Sequence, residues 1–123
     1  MTPFGDAVRD LRAKRGVTQK QMAEAIGVSP AYLSALEHGK RGRPTWFMVQ
    51  RIIAFFNVIW DEAEELQRLA ELSDPKISID TGGLEPEATE LANVLAAKIS
   101  GLSRESLAHL LHQLKAAAAR DGV

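Results

Sequence analysis

Apolar residues recur along this chain at helical spacing, and turn and cap residues cut the pattern into seven segments. Thr2-Pro3 reads as an N-cap followed by proline at the first helical position, and Phe4, Ala7, Val8 and Leu11 make the apolar stripe. Lys14-Arg15-Gly16, a basic last turn and a glycine, ends it. Thr18 is placed to cap a second, short helix with Met22, Ala23 and Ile26 inward, closed by Gly27. Ser29-Pro30 repeats the cap-plus-proline signature and starts a third helix, with Leu33 and Leu36 inward and Gly39 as its stop. A fourth helix is expected from about Thr45, with Phe47 or Met48, then Val49, Ile52, Ile53 and Phe56, on its apolar side. Asp61 with Glu64 three residues on has the form of a capping arrangement for a fifth helix carrying Ala63, Leu66, Leu69 and Ala70.

Asp74-Pro75 breaks that helix, and residues 76–80 (Lys-Ile-Ser-Ile-Asp) alternate like a strand. With no partner strand in the chain they are expected to form only an arm. Gly82-Gly83 makes a flexible joint. Pro86 opens a sixth helix with Leu91, Val94, Leu95 and Ile99 on one stripe, closed by Gly101. Ser103 caps a seventh with Leu107, Leu110, Leu111 and Leu114, running through an alanine-rich stretch to Gly122. The expected architecture is all-α: five compact helices over residues 1–72, a linker or extended arm over 73–83, and a C-terminal helical pair over 84–123.

Composition is that of an ordinary globular chain, 46% apolar and 25% charged in 123 residues. No apolar run is long enough to cross a bilayer, and the opening residues carry no apolar core of a signal peptide, so a cytoplasmic protein is expected. The absence of cysteine excludes disulfides, thiolate metal sites and a cysteine nucleophile. Charge divides the chain more sharply. Residues 1–58 hold nine Lys/Arg against four acids, and residues 59–123 hold six against twelve, so a net −1 conceals a basic half and an acidic half. That asymmetry suits a polyanion-binding module joined to a segment of another purpose, although ordinary scatter of surface charge gives the same division.

The motif that gives this division meaning lies between the second and third helices. Ala25-Ile26-Gly27-Val28-Ser29 is a tight turn with glycine at its corner, small Ala23 permits close approach, and Ile26, Val28, Leu33 and Leu36 fill the angle. Such a pair is the helix-turn-helix pattern, whose second helix enters the DNA major groove. The stretch Gln19-Lys20-Gln21-Met22-Ala23-Glu24-Ala25-Ile26-Gly27-Val28-Ser29-Pro30-Ala31-Tyr32-Leu33-Ser34-Ala35-Leu36-Glu37-His38-Gly39-Lys40 closely resembles the Xre/lambda-repressor-like helix-turn-helix family, and residues 11–18 and Arg43-Pro44 also match. The resemblance covers about residues 4–72. It implies a five-helix DNA-binding fold and a transcriptional regulator, most often a repressor, that binds double-stranded DNA as a homodimer near the nucleoid.

Carried over residue by residue, the resemblance implies that Gln19 touches a phosphate and supports the recognition helix, with Lys20 beside it. It places Ser29, Pro30, Ala31, Tyr32, Ser34 and Ala35 on or beside the groove-facing surface. Pro30 is equally explained as a helix start. This surface departs from the family's habit of Gln, Arg or Asn. It offers one phenol, two hydroxyls and two alanine methyls, which suit thymine methyls and water-mediated contacts. His38, beside the glycine helix end, favours the helix dipole and lies near the backbone-gripping residues. Lys40, Arg41 and Arg43 sit where the family holds phosphates. Arg41-Gly42-Arg43-Pro44 is also the core of the AT-hook, whose arginines occupy the minor groove, and the sequence leaves both uses open.

Other signals are weaker. Glu105, His109 and His112 share a helical face but have no fourth ligand, so a solvated face or interface edge is expected and no metal or cofactor is assigned. Trp46 and Trp60 are expected at core edges or as interface anchors. No Ser/His/Asp set, phosphate loop or paired-acid cleft argues for an enzyme. The segment carrying Ile77 and Ile79, the stripe of Leu91, Val94, Leu95 and Ile99, and the stripe of Leu107, Leu110, Leu111 and Leu114 are expected to join two copies. The alternatives are an antitoxin-type autorepressor whose acidic half binds a protein partner, or a protein-interaction adaptor that has lost DNA binding.

Overall fold

A computed structural model describes residues 1–123, which are all-helical, with α1 Pro3–Arg15, α2 Gln19–Ile26, α3 Pro30–Glu37, α4 Trp46–Phe56, α5 Asp61–Glu71, α6 Pro86–Lys98 and α7 Arg104–Asp121. A single 3-10 turn, Ile99–Gly101, separates the last two. The chain divides into two compact units, Met1–Ile77 and Ser78–Val123.

Hydroxyl caps start most of the helices. The side chains of Thr2, Thr18, Ser29, Thr45 and Ser103 accept from the backbone N–H groups of Gly5, Gln21, Tyr32, Met48 and Ser106, each three residues on, at 3.0–3.2 Å. Each such bond satisfies a donor that the helix itself leaves orphaned and is worth about 1 kcal/mol. At Thr18 the bond is reciprocated, because Gln21 Oε1 accepts from the Thr18 N–H at 2.9 Å. α5 departs from the expected start. Its N-cap is Trp60, with φ 53° and ψ −122° and no side-chain cap, so Asp61 is already inside the helix. Asp61, Glu62 and Glu64 instead stabilise its first turn through the helix dipole.

The first unit has one core. Phe4 and Val8 of α1, Met22, Ala23 and Ile26 of α2, Leu33 and Leu36 of α3, Met48, Val49, Ile52 and Phe56 of α4, and Leu66 and Ala70 of α5 are all buried. α1 packs on α3 and α5, α2 on α3 and α4, and α4 on α5. Met48 rather than Phe47 occupies the inward position at the start of α4. Polar contacts tie the ends together. The Phe4 N–H donates to Ser73 Oγ at 3.0 Å, and Arg15 donates to the Phe56 carbonyl at 2.6 Å.

In the second unit neither α6 nor α7 buries a single residue. Leu91, Val94, Leu107, Leu110, Leu111 and Leu114 are exposed, Ile99 lies in the 3-10 turn rather than in α6, and Leu95 is half-buried. Residues 76–80 form no strand, consistent with a lone five-residue segment having no ladder to join, and Ile77 and Ile79 are exposed.

Candidate nucleic-acid interface

The angle between α2 and α3 is set by Gly27, which ends α2 at φ 80° and ψ 33°, a conformation that a residue with a Cβ adopts only under strain. Val28 closes the turn by donating to the Ala23 carbonyl at 2.9 Å. Ser29 Oγ then caps α3, so only three residues, Gly27, Val28 and Ser29, separate the last turn of one helix from the first turn of the next.

Underneath the two helices lies a buried polar cluster. The Arg12 guanidinium of α1 donates through both terminal nitrogens to the Glu37 carboxylate at the end of α3, with both side chains removed from solvent. Gln19 Nε2, at the first residue of α2, donates to the same carboxylate at 2.9 Å. One carboxylate therefore links α1, the start of α2 and the end of α3. A bidentate, fully bonded pair offsets the desolvation that burial imposes on each charge. Sequence reading did not assign Arg12 or Glu37. The available signal was Arg12 continuing the Phe4–Val8 row at four-residue spacing, which points an arginine at the core.

Around this base the expected site residues take distinct places. Ser29, Pro30 and Ala31 are exposed, Tyr32, Ser34 and Ala35 are half-buried, and Lys20 is exposed on the first turn of α2. His38 caps α3 and its Nδ1 lies 2.8 Å from the Ser34 carbonyl oxygen. The chain then reverses, with the Lys40 N–H donating to the Ala35 carbonyl at 2.9 Å. Lys40, Arg41 and Arg43 are exposed and enter no ion pair, the chain's two salt bridges being Arg12–Glu37 and Arg68–Glu65. Pro44 is buried and anchors the far end of the loop. The Arg41 guanidinium lies over the Tyr32 ring, 4.7 Å from its centroid.

Trp46 and Trp60 lie outside the core, at 65% and 80% exposure. Trp46 packs edge-on against exposed Phe47, with ring centroids 5.2 Å apart. Glu105, His109 and His112 are all exposed, and no group of three or more His, Asp or Glu side chains is placed to hold a metal. No helix is long and apolar enough to cross a membrane.

Two short capped helices meeting at a left-handed glycine, braced by a third and followed by an unpaired basic loop, define a helix-turn-helix module. A family model described as a helix-turn-helix domain matches residues 3–66, and the chain belongs to that family, in keeping with the Xre-like resemblance of its residues. It is similar to the uncharacterized HTH-type transcriptional regulator RghRB of Bacillus subtilis, 38% identical over 61 residues, covering 50% of this chain and 44% of that protein. It is also similar to the HTH-type transcriptional repressor RghR of Bacillus subtilis, 48% identical over 44 residues, covering 36% of this chain and 33% of that protein. The HTH-type transcriptional activator BcrR of Enterococcus faecalis is 39% identical over 71 residues, covering 55% of this chain and 34% of that protein. The matched stretch thus spans less than half the length of each of these relatives. Among solved structures, the chain aligns with a SinR protein/SinI protein complex at TM-score 0.43 and 21% identity, over 94% of this chain and 98% of that one.

Proposed function

We propose that this protein is a sequence-specific DNA-binding transcriptional regulator that acts as a repressor at the nucleoid. The observation that carries the reading is the unpaired basic loop, Lys40, Arg41 and Arg43, set immediately after a helix whose N-terminal turn is exposed. Cations without ion-pair partners exchange their counter-ions for phosphates, which supplies affinity. An exposed first turn on the second helix of the motif supplies base contacts. In this arrangement α3 enters the major groove, while Gln19, Lys20, His38, Lys40 and Arg43 hold the backbone on either side. Repression is supported by RghR, named a repressor and 48% identical over its matched stretch.

Two copies bind together in this proposal, through the second unit. A small helical pair with no buried residue lacks the core that a unit of this size needs. Its stripes, exposed Leu91 and Val94 with half-buried Leu95 on α6 and exposed Leu107, Leu110, Leu111 and Leu114 on α7, are suited to a four-helix interface with a second copy. Pairing also presents two recognition helices to two half-sites, which a single short motif needs for useful specificity.

The test is a salt titration of binding to a fixed duplex. Arg43→Ala is expected to weaken binding to specific and unrelated duplexes alike and to lower the slope of log affinity against log salt by about one. A slope unchanged by Arg43→Ala removes the loop from the interface.

A further inference from the structure

The groove-facing residues of α3 include no arginine, glutamine or asparagine, so the helix itself lacks the side chains that read a base edge through two parallel hydrogen bonds. We infer that Arg41 supplies this missing group: held over the Tyr32 ring, its guanidinium is a specificity-determining side chain that reads a guanine edge in the major groove. The inference rests on the regulator reading and deepens it, because it separates Arg41 from the phosphate-gripping Lys40 and Arg43.

Three observations converge on it. Arg41 lies 4.7 Å over the ring of Tyr32, whose own N–H is fixed on Ser29 Oγ at 3.0 Å in the first turn of α3. That turn is where a recognition helix meets base edges. The loop that carries Arg41 is held at both sides, by the Lys40 N–H on the Ala35 carbonyl and by buried Pro44, so the arginine is folded back along α3 rather than trailing from it. Finally, Arg41 forms no ion pair and donates no hydrogen bond within the chain, so all of its planar donor fork is free. Stacking uses the face of a guanidinium and leaves its edge for bonding. A face held by an aromatic ring fixes the plane in which that edge presents its donors, and less rotamer freedom is then lost on contact. Lys40 and Arg43 have no such ring contact. They are exposed charges suited to phosphates.

The experiment is selection from a pool of random duplexes by the full-length chain and by Arg41→Ala, Arg41→Lys, Tyr32→Phe and Tyr32→Leu. Circular dichroism confirms that each variant keeps its helix content. The unsubstituted chain should enrich a site containing a preferred guanine. Arg41→Ala and Arg41→Lys should each lose that preference at the same position, on the order of ten-fold or more. Tyr32→Phe, which keeps the ring, should retain it, and Tyr32→Leu should lose it. Replacing the guanine by 7-deazaguanine, which lacks the N7 acceptor, should weaken the unsubstituted chain and leave Arg41→Ala unaffected. An Arg41→Ala variant that binds every duplex more weakly but keeps the guanine preference overturns the inference and makes Arg41 a phosphate contact. Loss of an A·T preference instead overturns it in favour of minor-groove insertion. If the unsubstituted chain enriches no sequence, the inference and the regulator reading fail together.

Discussion

Gly5 of α1 lies against the Glu37 carbonyl at the end of α3 so closely that a Cβ there would stand 2.7 Å from the carbonyl carbon, with the oxygen nearer still. The same carbonyl accepts from the Thr2 N–H at 3.1 Å and the Thr2 hydroxyl at 3.2 Å. α1 therefore docks backbone to backbone on the last residue of α3. Because the obstacle is main chain rather than a flexible side chain, Gly5→Ala forces the helices apart. A loss of about 1–3 kcal/mol, toward the upper end, is expected in denaturant unfolding. A Gly5→Ala midpoint equal to that of the unsubstituted chain would show that the α1–α3 approach is looser than described.

Trp60 should respond in the opposite direction. Its φ of 53° and ψ of −122° suit glycine and strain any residue with a Cβ, while its side chain is 80% exposed and contributes little to the core. Trp60→Gly is expected to stabilise the chain by about 1 kcal/mol, the relieved strain exceeding the added freedom of the unfolded state. A lowered melting temperature would mean that the indole makes a stabilising contact after all.

The helices of the first unit were legible because their signals are local. Thr2, Thr18, Ser29 and Thr45 each satisfy a donor three residues away, and Gly27 answers a demand of its own φ. Asp61 misled because acids favour both an N-cap and a first turn, and only the geometry of the chain at Trp60 decides between them. Residues 76–80 alternate as a strand does, but alternation without a ladder partner specifies no strand. The site was legible only in its outline. Arg12 meets Glu37 across 25 positions of sequence, and Arg41 meets Tyr32 only after the chain reverses behind α3. Such pairings depend on tertiary approach and leave no periodic trace. The exposure of Trp46 and Trp60 was likewise hidden, since an aromatic beside a helix start fits a core edge as well as an open surface.

The proposed pairing through the second unit has a mass that can be weighed. Light scattering of the full chain should give about 27 kDa, roughly twice the 13.4 kDa monomer. Leu91→Glu combined with Leu111→Glu places a charge on each exposed stripe and should shift the mass to that of the monomer. Binding to a two-half-site duplex should weaken on the order of ten-fold or more as the second site loses its tether. A full chain that runs as a monomer at tens of micromolar, or a doubly charged variant that still dimerises, contradicts the assignment.

The central claim, that α3 and its basic loop read particular DNA sequences, is tested most directly by sequencing the fragments that the full chain retains from the genome encoding it. At about 0.15 M salt, where charge alone holds DNA weakly, the retained fragments should share a short two-fold-symmetric site upstream of genes, with half-sites about 10 base pairs apart or a multiple of that spacing. Retention that is no better than for random fragments, and that fades uniformly as salt rises, would contradict sequence-specific binding and leave only a basic surface.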